Sequence, residues 1–400
     1  MSESVVVTGL GVVSPLNADG DAERFWAALR SGENAVRGIR SFDASPYPCK
    51  VAAEIPREAL SFPDKETDPV MQISLIAFQK ALQEARLTPG DIDPRRTGVV
   101  VGTVLGGVLS GERYIRSPGS DVSRAKALLL QYPLRAIASR LARAAKFTGV
   151  VLTVSTACAS GTDAIGIAYR KIRDGTSEAI VAGGVDVLSE FSFSGFCALN
   201  ALAPDKVRPF SRNRAGLALG EGAAFLLLER EKTALTRGAR ILGRIAGFAS
   251  TSDSTHLTAP DREGRGLSAA ATAAIREAGL TAGEIDYVNA HGTGTLYNDW
   301  METKALKAAL GAHATAVPVS SIKAVLGHAF GAAGAMEAAA CLFAIRDRVV
   351  PPTANFEEPD PECDIDCVPI IERSVNVRAA LSLSAGFGGQ NAALLIRRYA

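Results

Sequence analysis

Residues 150–161, VVLTVSTACASG, are an apolar β-branched run that passes through small residues into a segment of helical periodicity at about residues 159–173. Cys158 therefore falls between a predicted strand and the start of a predicted helix. A thiol in that place meets the partial positive charge of unpaired helix N–H groups, which predicts a lowered pKa. Small neighbours leave space for a carbonyl and expose N–H groups to an oxyanion. The alternative is a buried packing cysteine.

The same order of patterns recurs later in the chain. The cysteine segment is followed by an apolar run at residues 179–182, and residues 317–350 repeat the order of strand, glycine-rich turn, helix and apolar run. Two further pairs of segments match, 98–102 with 286–291 and 216–230 with 384–398. We therefore predict two similar α/β halves, residues 1–240 and 241–400, with strands buried by helices on both faces. Equivalent loops should meet at a cleft at the strand ends.

Length and composition exclude several classes of protein. Of the 400 residues, 47% are hydrophobic and 21% are charged, which is enough for a large body with its own core. The 43 Lys and Arg residues nearly balance the 42 Asp and Glu residues, so neither nucleic acid nor an anionic membrane is an expected partner. The apolar runs fall far short of the roughly 20 residues of a membrane span. No secretory pattern opens the chain, and the expected location is the cytoplasm.

The six cysteines do not indicate disulfides or a metal site. They are scattered through a long chain, several of them in apolar contexts that suit buried free thiols. Cys363 and Cys367 have neither a second pair of cysteines nor a nearby histidine. A zinc site is therefore not expected, and no other metal is implied.

Two of the four histidines lie in glycine-rich segments. His291 stands in NAHGTGT, and His328 stands in KAVLGHAFGAAG, near the position that corresponds to Cys158 in the repeat. A pseudo-twofold axis would bring the three side chains together. A thiol with two imidazoles suits thioester chemistry, in which the thiolate takes an acyl group and the imidazoles stabilise an enolate oxygen. A cysteine hydrolase remains an alternative. Asn289 and His291 are two residues apart, so on a strand their side chains would lie on the same face, and Asn289 could orient the His291 ring.

Seven segments in this order resemble the β-ketoacyl-acyl-carrier-protein synthases, especially the type II elongating synthases and the type II polyketide ketosynthase subunits. They are VVVTGLGVVSP (5–15), TACASG (156–161), RPFSRNRAGLALGEGAA (208–224), NAHGTGT (289–295), SSIKAVLGHAFGAAG (320–334), PPTANFEEPDPECDID (351–366) and GFGGQN (386–391). The resemblance covers nearly the whole chain. It implies an α/β, thiolase-like fold with duplicated halves in five layers, α-β-α-β-α, and usually a dimer.

The resemblance also implies catalytic roles for individual residues. Cys158 corresponds to the acylated nucleophile. His291 and His328 correspond to the pair that assists loss of carbon dioxide from the malonyl carrier and stabilises the resulting carbanion or enolate. Lys323 matches the family lysine that orders the site, and Glu337 matches its usual carboxylate partner.

Further positions correspond to substrate contacts. Thr293 and Thr295 resemble the residues that hydrogen-bond the pantetheine arm, and Phe196 resembles the phenylalanine near the acyl pocket. Phe387 resembles the gating phenylalanine, whose N–H joins that of Cys158 as an oxyanion donor. The family implies no cofactor beyond the phosphopantetheine that carries the substrates. The implied partners are an acyl carrier protein and a second subunit, either identical or a related ketosynthase-like chain.

The chain departs from the family pattern near the predicted cleft. The family commonly has RPFD and then RDGF, where this chain has Ser211, Ala215 and Leu217, which predicts an altered salt bridge or loop anchor. Asn200 falls where elongating synthases often have a basic residue that contacts the carrier, and residues 64–68 are acidic where a basic patch is typical. An acidic carrier protein would be steered less strongly to such a surface.

Together these features predict a β-ketoacyl-acyl-carrier-protein synthase, an acyltransferase. Its predicted reaction is the decarboxylative Claisen condensation of malonyl carrier with an enzyme-bound acyl thioester, which elongates a fatty acyl or a polyketide or polyene chain. One alternative is a non-catalytic, chain-length-determining partner of another ketosynthase. Such partners usually lack the nucleophile, which this chain retains. The other alternative is a cysteine thioester hydrolase on the same scaffold.

Overall fold

The computed structural model describes residues 3–60, 66–88, 90–116 and 121–399. In these ranges the strands are β1 (Val5–Val13), β2 (Arg37–Gly38), β3 (Val51–Ala53), β4 (Thr97–Gly102), β5 (Val151–Val154), β6 (Ala179–Asp186), β7 (Leu219–Gly220), β8 (Gly222–Arg230), β9 (Gly243–Ser252), β10 (Tyr287–Asn289), β11 (Val319–Ser320), β12 (Val349–Val350), β13 (Arg373–Ser374), β14 (Ala379–Gly386) and β15 (Gln390–Arg397).

The α-helices of the same ranges are α1 (Ala22–Ser31), α2 (Pro69–Glu84), α3 (Val108–Arg116), α4 (Val122–Gln131), α5 (Arg135–Ala145), α6 (Ser160–Arg173), α7 (Glu190–Ala198), α8 (Glu231–Thr236), α9 (Arg265–Glu277), α10 (Leu296–Leu310), α11 (Lys323–Leu326) and α12 (Ala333–Asp347). Among the helices described, none combines the length and the apolar character that a membrane crossing requires.

A ten-stranded sheet shows the duplication directly. Its order is β11-β10-β14-β15-β9-β1-β8-β6-β4-β5. From the centre outward, β1-β8-β6-β4-β5 and β9-β15-β14-β10-β11 have the same sequence of antiparallel and parallel pairs. The two half-sheets meet where β1 and β9 pair over three residues. The boundary at residue 240 itself stays a prediction.

One segment of the predicted repeat is placed differently. Val349–Val350 does not join the large sheet but pairs with Arg373–Ser374 in a small sheet of two strands. The strand that corresponds to β6 is β14, since each lies between a central antiparallel strand and a parallel neighbour. A long connection separates α12 from β14, so the first apolar residues after the helix are not the next strand of the sheet.

Helices cover both faces of each half-sheet. α6 and α12 lie together between the half-sheets and contact strands of both. α2 and α5 cover the outer face of the first half-sheet, while α9, backed by α10, covers that of the second. Strand side chains alternate accordingly, so that Val100 joins the middle core and Val99 and Val101 join the outer one. The five-layered fold expected from the family is confirmed.

The middle layer depends on small residues. Every residue of α12 from Ala333 to Ile345 is buried, so this helix has no face toward solvent there. At Gly161, in the first turn of α6, an added Cβ would lie 2.5 Å from the carbonyl oxygen of Gly331 and 3.0 Å from the nitrogen of Ala335. This close approach sets the start of α6, which follows Cys158, beside the loop that carries His328.

The close approach at Gly161 predicts a stability difference between two glycine substitutions. Gly161→Ala should lower the free energy of unfolding by about 1–3 kcal/mol, because the methyl group overpacks the middle layer. Gly195→Ala should cause no loss, because that glycine is exposed on α7 with no atom within 4 Å of the new methyl. Denaturant unfolding of both variants tests the difference, and equal stability would show that the middle layer is not tightly packed here.

Candidate active site

Cys158 lies on a tight turn between β5 and α6. The preceding residue, Ala157, has a φ of 49°, a left-handed conformation that costs a non-glycine residue about 1–3 kcal/mol. Ser160 closes the turn, because its hydroxyl donates to the Ala157 carbonyl at 2.6 Å and accepts from the Thr156 N–H at 2.8 Å. The strained turn fixes the position of the sulfur at the strand end.

The thiol and the two imidazoles meet. The Cys158 sulfur and the nearest ring nitrogens of His291 and His328 all lie within 4.8 Å of one another. The imidazole centroids are 5.4 Å apart and the ring planes make an angle of 83°. A side chain from the first half and two from the second therefore share one site, although their catalytic roles stay predictions.

Hydrogen bonds decide which nitrogen of each ring carries the proton. The Nδ1 atom of His328 accepts from the Phe330 N–H at 3.1 Å, so its Nε2 is the protonated nitrogen. That Nε2 is buried and has no hydrogen-bond partner among the described residues. The Nδ1 atom of His291 lies 3.3 Å from the Lys323 ammonium, which can only donate. Both rings thus have Nε2–H as a donor.

The charge state of the imidazoles follows from their surroundings. Burial holds the pKa of His291 well below its usual value, and the charges of Lys323 and His328 lower it further. Burial and Lys323 lower the pKa of His328 in the same way. Both rings are therefore neutral near pH 7, and each offers an uncharged N–H donor.

A buried ammonium orders the His291 side of the site. Lys323 donates to the His291 carbonyl at 2.6 Å and forms an ion pair with Glu337, and both side chains are almost fully buried. Glu337 also accepts from the Ser384 hydroxyl at 3.4 Å, and Ser384 lies 2.8 Å from the Thr162 hydroxyl. Burying two charges costs about as much free energy as their attraction returns. The pair therefore positions His291 more than it stabilises the fold.

Two carboxylates of α10 hold the glycine-rich loop, and the sequence analysis gave neither of them this role. Glu302 accepts from the N–H groups of His291 at 2.6 Å and Gly292 at 2.7 Å. Asp299 accepts from the Gly294 N–H at 3.2 Å. Burial raises the pKa of Glu302 to about 7. Acidic residues three apart in the first turns of the helix that follows NAHGTGT are the signal that could have identified them.

Asp186, at the end of β6, is a third residue that the sequence did not predict. It accepts hydrogen bonds from Val104 and Leu105 at 2.9 Å and from Gly331 at 2.7 Å, in each case from the N–H group. Its pKa is raised to about 6 by burial. The carboxylate thus ties the turn after β4 to the loop that follows His328.

The pKa of the thiol differs from the sequence-based expectation. Burial raises the pKa of Cys158 to about 11, although the Lys323 charge and the hydrogen bond from the Phe387 N–H lower it. The sequence pattern predicts the start of the helix but not the depth at which it is buried, and desolvation of a thiolate outweighs the helix charge. The thiol of the free enzyme is therefore protonated at pH 7.

Aromatic rings form a wall beside the sulfur. The Phe387 ring stacks on Phe196 with centroids 5.5 Å apart and 16° between the planes. Phe196 also meets Phe330 edge to face, with centroids 5.8 Å apart. An added Cβ at Gly386 would lie 3.0 Å from the Cys158 nitrogen, so only glycine lets the Phe387 turn come this close.

A cavity of about 560 Å³ leads to Cys158. Thr293 and Thr295 line it together with Phe196 and Phe387, and the two threonine hydroxyls lie 2.8 Å apart. The volume and the few converging polar groups are typical of a small-molecule site. All the substrate-contact residues predicted from the sequence therefore border one cavity.

Three of the predicted departures from the family pattern, Asn200, Ala215 and Leu217, border this cavity. Ser211 anchors its loop by accepting from the N–H groups of Glu357 at 3.2 Å and Glu358 at 2.9 Å. Arg214 forms an ion pair with Asp360 nearby. Asn200, Ala215 and Leu217 line the cavity, Asn200 and Ala215 as exposed residues and Leu217 as a buried one. Of the acidic stretch 64–68, Asp64 and Lys65 lie outside the described residues.

The same three donor atoms could also reach one metal ion, since they lie within 4.8 Å of one another. Zinc sites of the Cys/His type usually have four protein ligands, or three and an open position. Cys158, His291 and His328 would supply three, but the thiol would first have to lose a proton from a group whose pKa is about 11. The expectation that no metal takes part stays a prediction.

Comparison with known proteins assigns the chain to a family. The model of the β-ketoacyl synthase N-terminal domain matches residues 2–234, and that of the C-terminal domain matches residues 242–357. The chain belongs to the β-ketoacyl synthase family. It is 41% identical to the tetracenomycin polyketide synthase ketoacyl synthase alpha subunit of Streptomyces glaucescens, over 98% of this chain and 97% of that protein. It is 38% identical to 3-oxoacyl-[acyl-carrier-protein] synthase 2 of Synechocystis, over 99% and 98%.

Solved structures of the family agree with this assignment. One is described as a type II polyketide synthase acyl carrier protein in complex with its ketosynthase bound to the hexaketide, with a TM-score of 0.92, 30% identity and complete coverage of both chains. Another, the ishigamide ketosynthase/chain length factor, has a TM-score of 0.91 and 33% identity, again with complete coverage of both chains. The resemblance to the β-ketoacyl synthases is confirmed.

The raised pKa of Cys158 predicts how the thiol reacts with iodoacetamide. Its alkylation rate in the free enzyme should rise about tenfold per pH unit between pH 7 and pH 10, because the thiolate fraction does so below a pKa of about 11. Mass spectrometry of the peptide that contains Cys158 measures the rate, and Cys158→Ser identifies that peptide. A rate that already levels off near pH 7 would mean that the helix charge dominates over burial.

Proposed function

We propose that the protein catalyses the decarboxylative Claisen condensation of malonyl-acyl carrier protein with an acyl group held on Cys158. The product is a β-ketoacyl chain, extended by two carbons, on a fatty acid or polyketide pathway. The observation that carries the proposal is the meeting of the Cys158 sulfur with two neutral imidazole donors in one buried site. Membership of the β-ketoacyl synthase family supports it.

In the first half-reaction the acyl group moves from the carrier to the enzyme. The Cys158 sulfur, after losing its proton, attacks the thioester carbonyl of the acyl carrier. The N–H groups of Cys158 and Phe387 are the proposed donors to the tetrahedral oxygen. The carrier thiolate leaves and takes up the proton that the Cys158 thiol released, so that one thioester replaces another. Because burial raises the pKa of the free thiol to about 11, the thiol still carries its proton at pH 7 and must give it up in the course of this step.

In the second half-reaction the malonyl carrier loses carbon dioxide. The electron pair of the broken C–C bond moves to the thioester oxygen, where the Nε2–H groups of His291 and His328 stabilise the enolate. Its α-carbon then attacks the acyl-Cys158 thioester, and the Cys158 sulfur leaves as a thiolate that takes up a proton from water. Neutral donors suit this step, because an imidazolium would protonate the carbanion and end the reaction without condensation.

The structure disfavours the hydrolase alternative. A cysteine hydrolase needs a histidine base that an amide or a carboxylate orients. Asn289 does not take that role, because its amide N–H donates to the Tyr287 hydroxyl at 2.9 Å and its Oδ1 atom accepts from no ring among the described residues. The ring nitrogen of His291 instead faces the Lys323 ammonium. The site therefore has two electrophilic donors and no oriented base.

We further propose that the substrates arrive on the phosphopantetheine arm of an acyl carrier protein and that no other cofactor is needed. The arm would pass Thr293 and Thr295, whose hydroxyls can hydrogen-bond its amides. The related complex of an acyl carrier protein with its ketosynthase supports this partner. The cytoplasmic location expected from the sequence also stays a proposal.

A second subunit is proposed at the β5 end of the ten-stranded sheet. β5 has a free edge in the described structure, and its Val151 and Leu152 are 37% and 39% exposed. Leu130 and Tyr132, at the end of α4, are also exposed apolar residues. An open apolar edge strand is a natural site for pairing with another chain. The partner is either a second copy or a related ketosynthase-like chain, as in the ishigamide ketosynthase/chain length factor.

Variants of the catalytic trio test the two half-reactions separately. Cys158→Ala should abolish acyl transfer to the protein, because no other group can form the thioester. His328→Ala should still form acyl-Cys158 but lose condensation by about 10²–10³-fold, the usual effect of one missing oxyanion donor. Mass spectrometry of the intact protein and of the products measures both. An acyl-enzyme in Cys158→Ala, or normal condensation in His328→Ala, would contradict the proposed roles.

The proposed subunit interface predicts that a charged substitution on β5 lowers the oligomeric mass of the protein. Leu152→Lys should convert a dimer to a monomer in light scattering, because a charge on the edge strand opposes pairing. Leu235→Lys, at a residue of α8 that is 57% exposed, is the matched control and should leave the mass unchanged. A Leu152→Lys variant that stays dimeric would place the interface elsewhere. A wild-type chain that is monomeric alone and dimeric with a ketosynthase-like partner would favour the heterodimer.

A further inference from the structure

Large apolar side chains are exposed around the mouth of the cavity that leads to Cys158. Leu199, Leu296 and Tyr297 line the cavity and are nevertheless 49%, 55% and 54% exposed. Leu257 is 81% exposed and directly precedes Thr258, another lining residue. These residues form an apolar rim, which consists of Leu199, Leu257, Leu296 and Tyr297.

The mouth has almost no exposed charge. Among the cavity-lining residues that the structure describes, Arg214 is the charged one, and its side chain is fully buried in the ion pair with Asp360. Asn200, next to Leu199, adds an uncharged polar group. At the outer edge the guanidinium carbon of Arg262 lies 5.9 Å from the centroid of the Tyr297 ring. A partner that reaches the mouth therefore meets mainly apolar side chains, with the Arg262 guanidinium at one edge.

The backbone of the rim is fixed to the active site. The Leu257 carbonyl accepts from the Gly388 N–H at 2.7 Å, in the same turn as Phe387. The Leu296 carbonyl accepts from the Arg214 guanidinium at 3.2 Å. These bonds hold the rim in place before a partner binds, which lowers the entropic cost of docking.

We propose that the acyl carrier protein docks on the apolar rim, through apolar side chains of its own and with little help from long-range charge. The proposal rests on the proposed function, in which a pantetheine arm enters this cavity. An arm that passes Thr293 and Phe387 leaves the body of the carrier at the mouth, where the rim is the surface it covers. Exposed apolar patches beside a binding cleft are typical of interaction sites.

The kind of contact determines how docking responds to salt and to substitution. Association that is steered by charge weakens steeply as ionic strength rises, whereas apolar contact does not. Aromatic and leucine side chains at the centre of a contact contribute most of its binding energy. Leu257 is the most exposed member of the rim, and its side chain is not among the residues that line the cavity. It can therefore be changed without altering the site.

The test compares two acyl donors that carry the same acyl group. One is a type II acyl carrier protein loaded with the acyl chain that the enzyme accepts best, and the other is the corresponding acyl-pantetheine. The variants are Leu257→Lys and Leu257→Glu, with Leu235→Lys as the control on α8. Acyl transfer to Cys158 is measured as kcat/KM at low and high KCl.

Both Leu257 variants should lose about 5–20-fold in kcat/KM with the carrier and nothing with acyl-pantetheine, because they remove the same apolar contact. The losses in the two variants should agree within about threefold. The kcat/KM of the wild type with the carrier should change by less than about threefold between 50 and 500 mM KCl. Leu235→Lys should behave as the wild type.

Three results would overturn the docking surface. The first is evidence of recognition by charge. It would be either a kcat/KM with the carrier that rises in Leu257→Lys and falls in Leu257→Glu, or a wild-type kcat/KM that falls more than about tenfold from low to high KCl. The second is normal transfer from the carrier in both variants. The third is a change of oligomeric mass in the Leu257 variants, which would make the rim a contact between copies. Failure of both acyl donors to acylate the wild type would instead refute the proposed function.

Discussion

The site depends on one buried charge, the ammonium of Lys323. It joins the His291 ring and carbonyl on one side to Glu337 of α12 on the other, with both ionic side chains almost fully buried. Burial lowers the pKa of both imidazoles, and the Lys323 charge lowers it further, so that the rings remain neutral donors; the same charge opposes the rise in the thiol pKa that burial causes. A single group thus positions one ring and acts on the pKa of all three reactive side chains.

The Lys323 charge is buried because the two similar halves of the fold pack closely against each other in the middle layer. The middle layer packs α6 against α12 through Gly161, which leaves no room for a larger side chain. The starts of these helices therefore lie side by side, with Cys158 before one and His328 before the other. Carboxylates that accept from loop N–H groups, Asp186 and Glu302, fix the loops between the layers. Strain at Ala157 is sustained by this surrounding structure.

Much of this arrangement could be predicted from the sequence, and the exceptions share a physical cause. The duplicated pattern and the motifs around Cys158, His291 and His328 are local, so they indicated the fold and the trio. The direction of the thiol pKa was wrong, because burial depends on layers distant in the chain. Asp186 and Glu302 were missed for a similar reason, since their function lies in bonds to remote backbone.

Condensation requires that a thioester on Cys158 and an enolate held by the two imidazoles react between the two halves of the fold. Isolating the acyl-enzyme and following one turnover with malonyl carrier by rapid quench tests this requirement. Each acyl-Cys158 lost should yield one β-ketoacyl product and one carbon dioxide, all with the same rate constant. Acyl-Cys158 that disappears as free acid, or carbon dioxide released without condensed product at a matching rate, would contradict it.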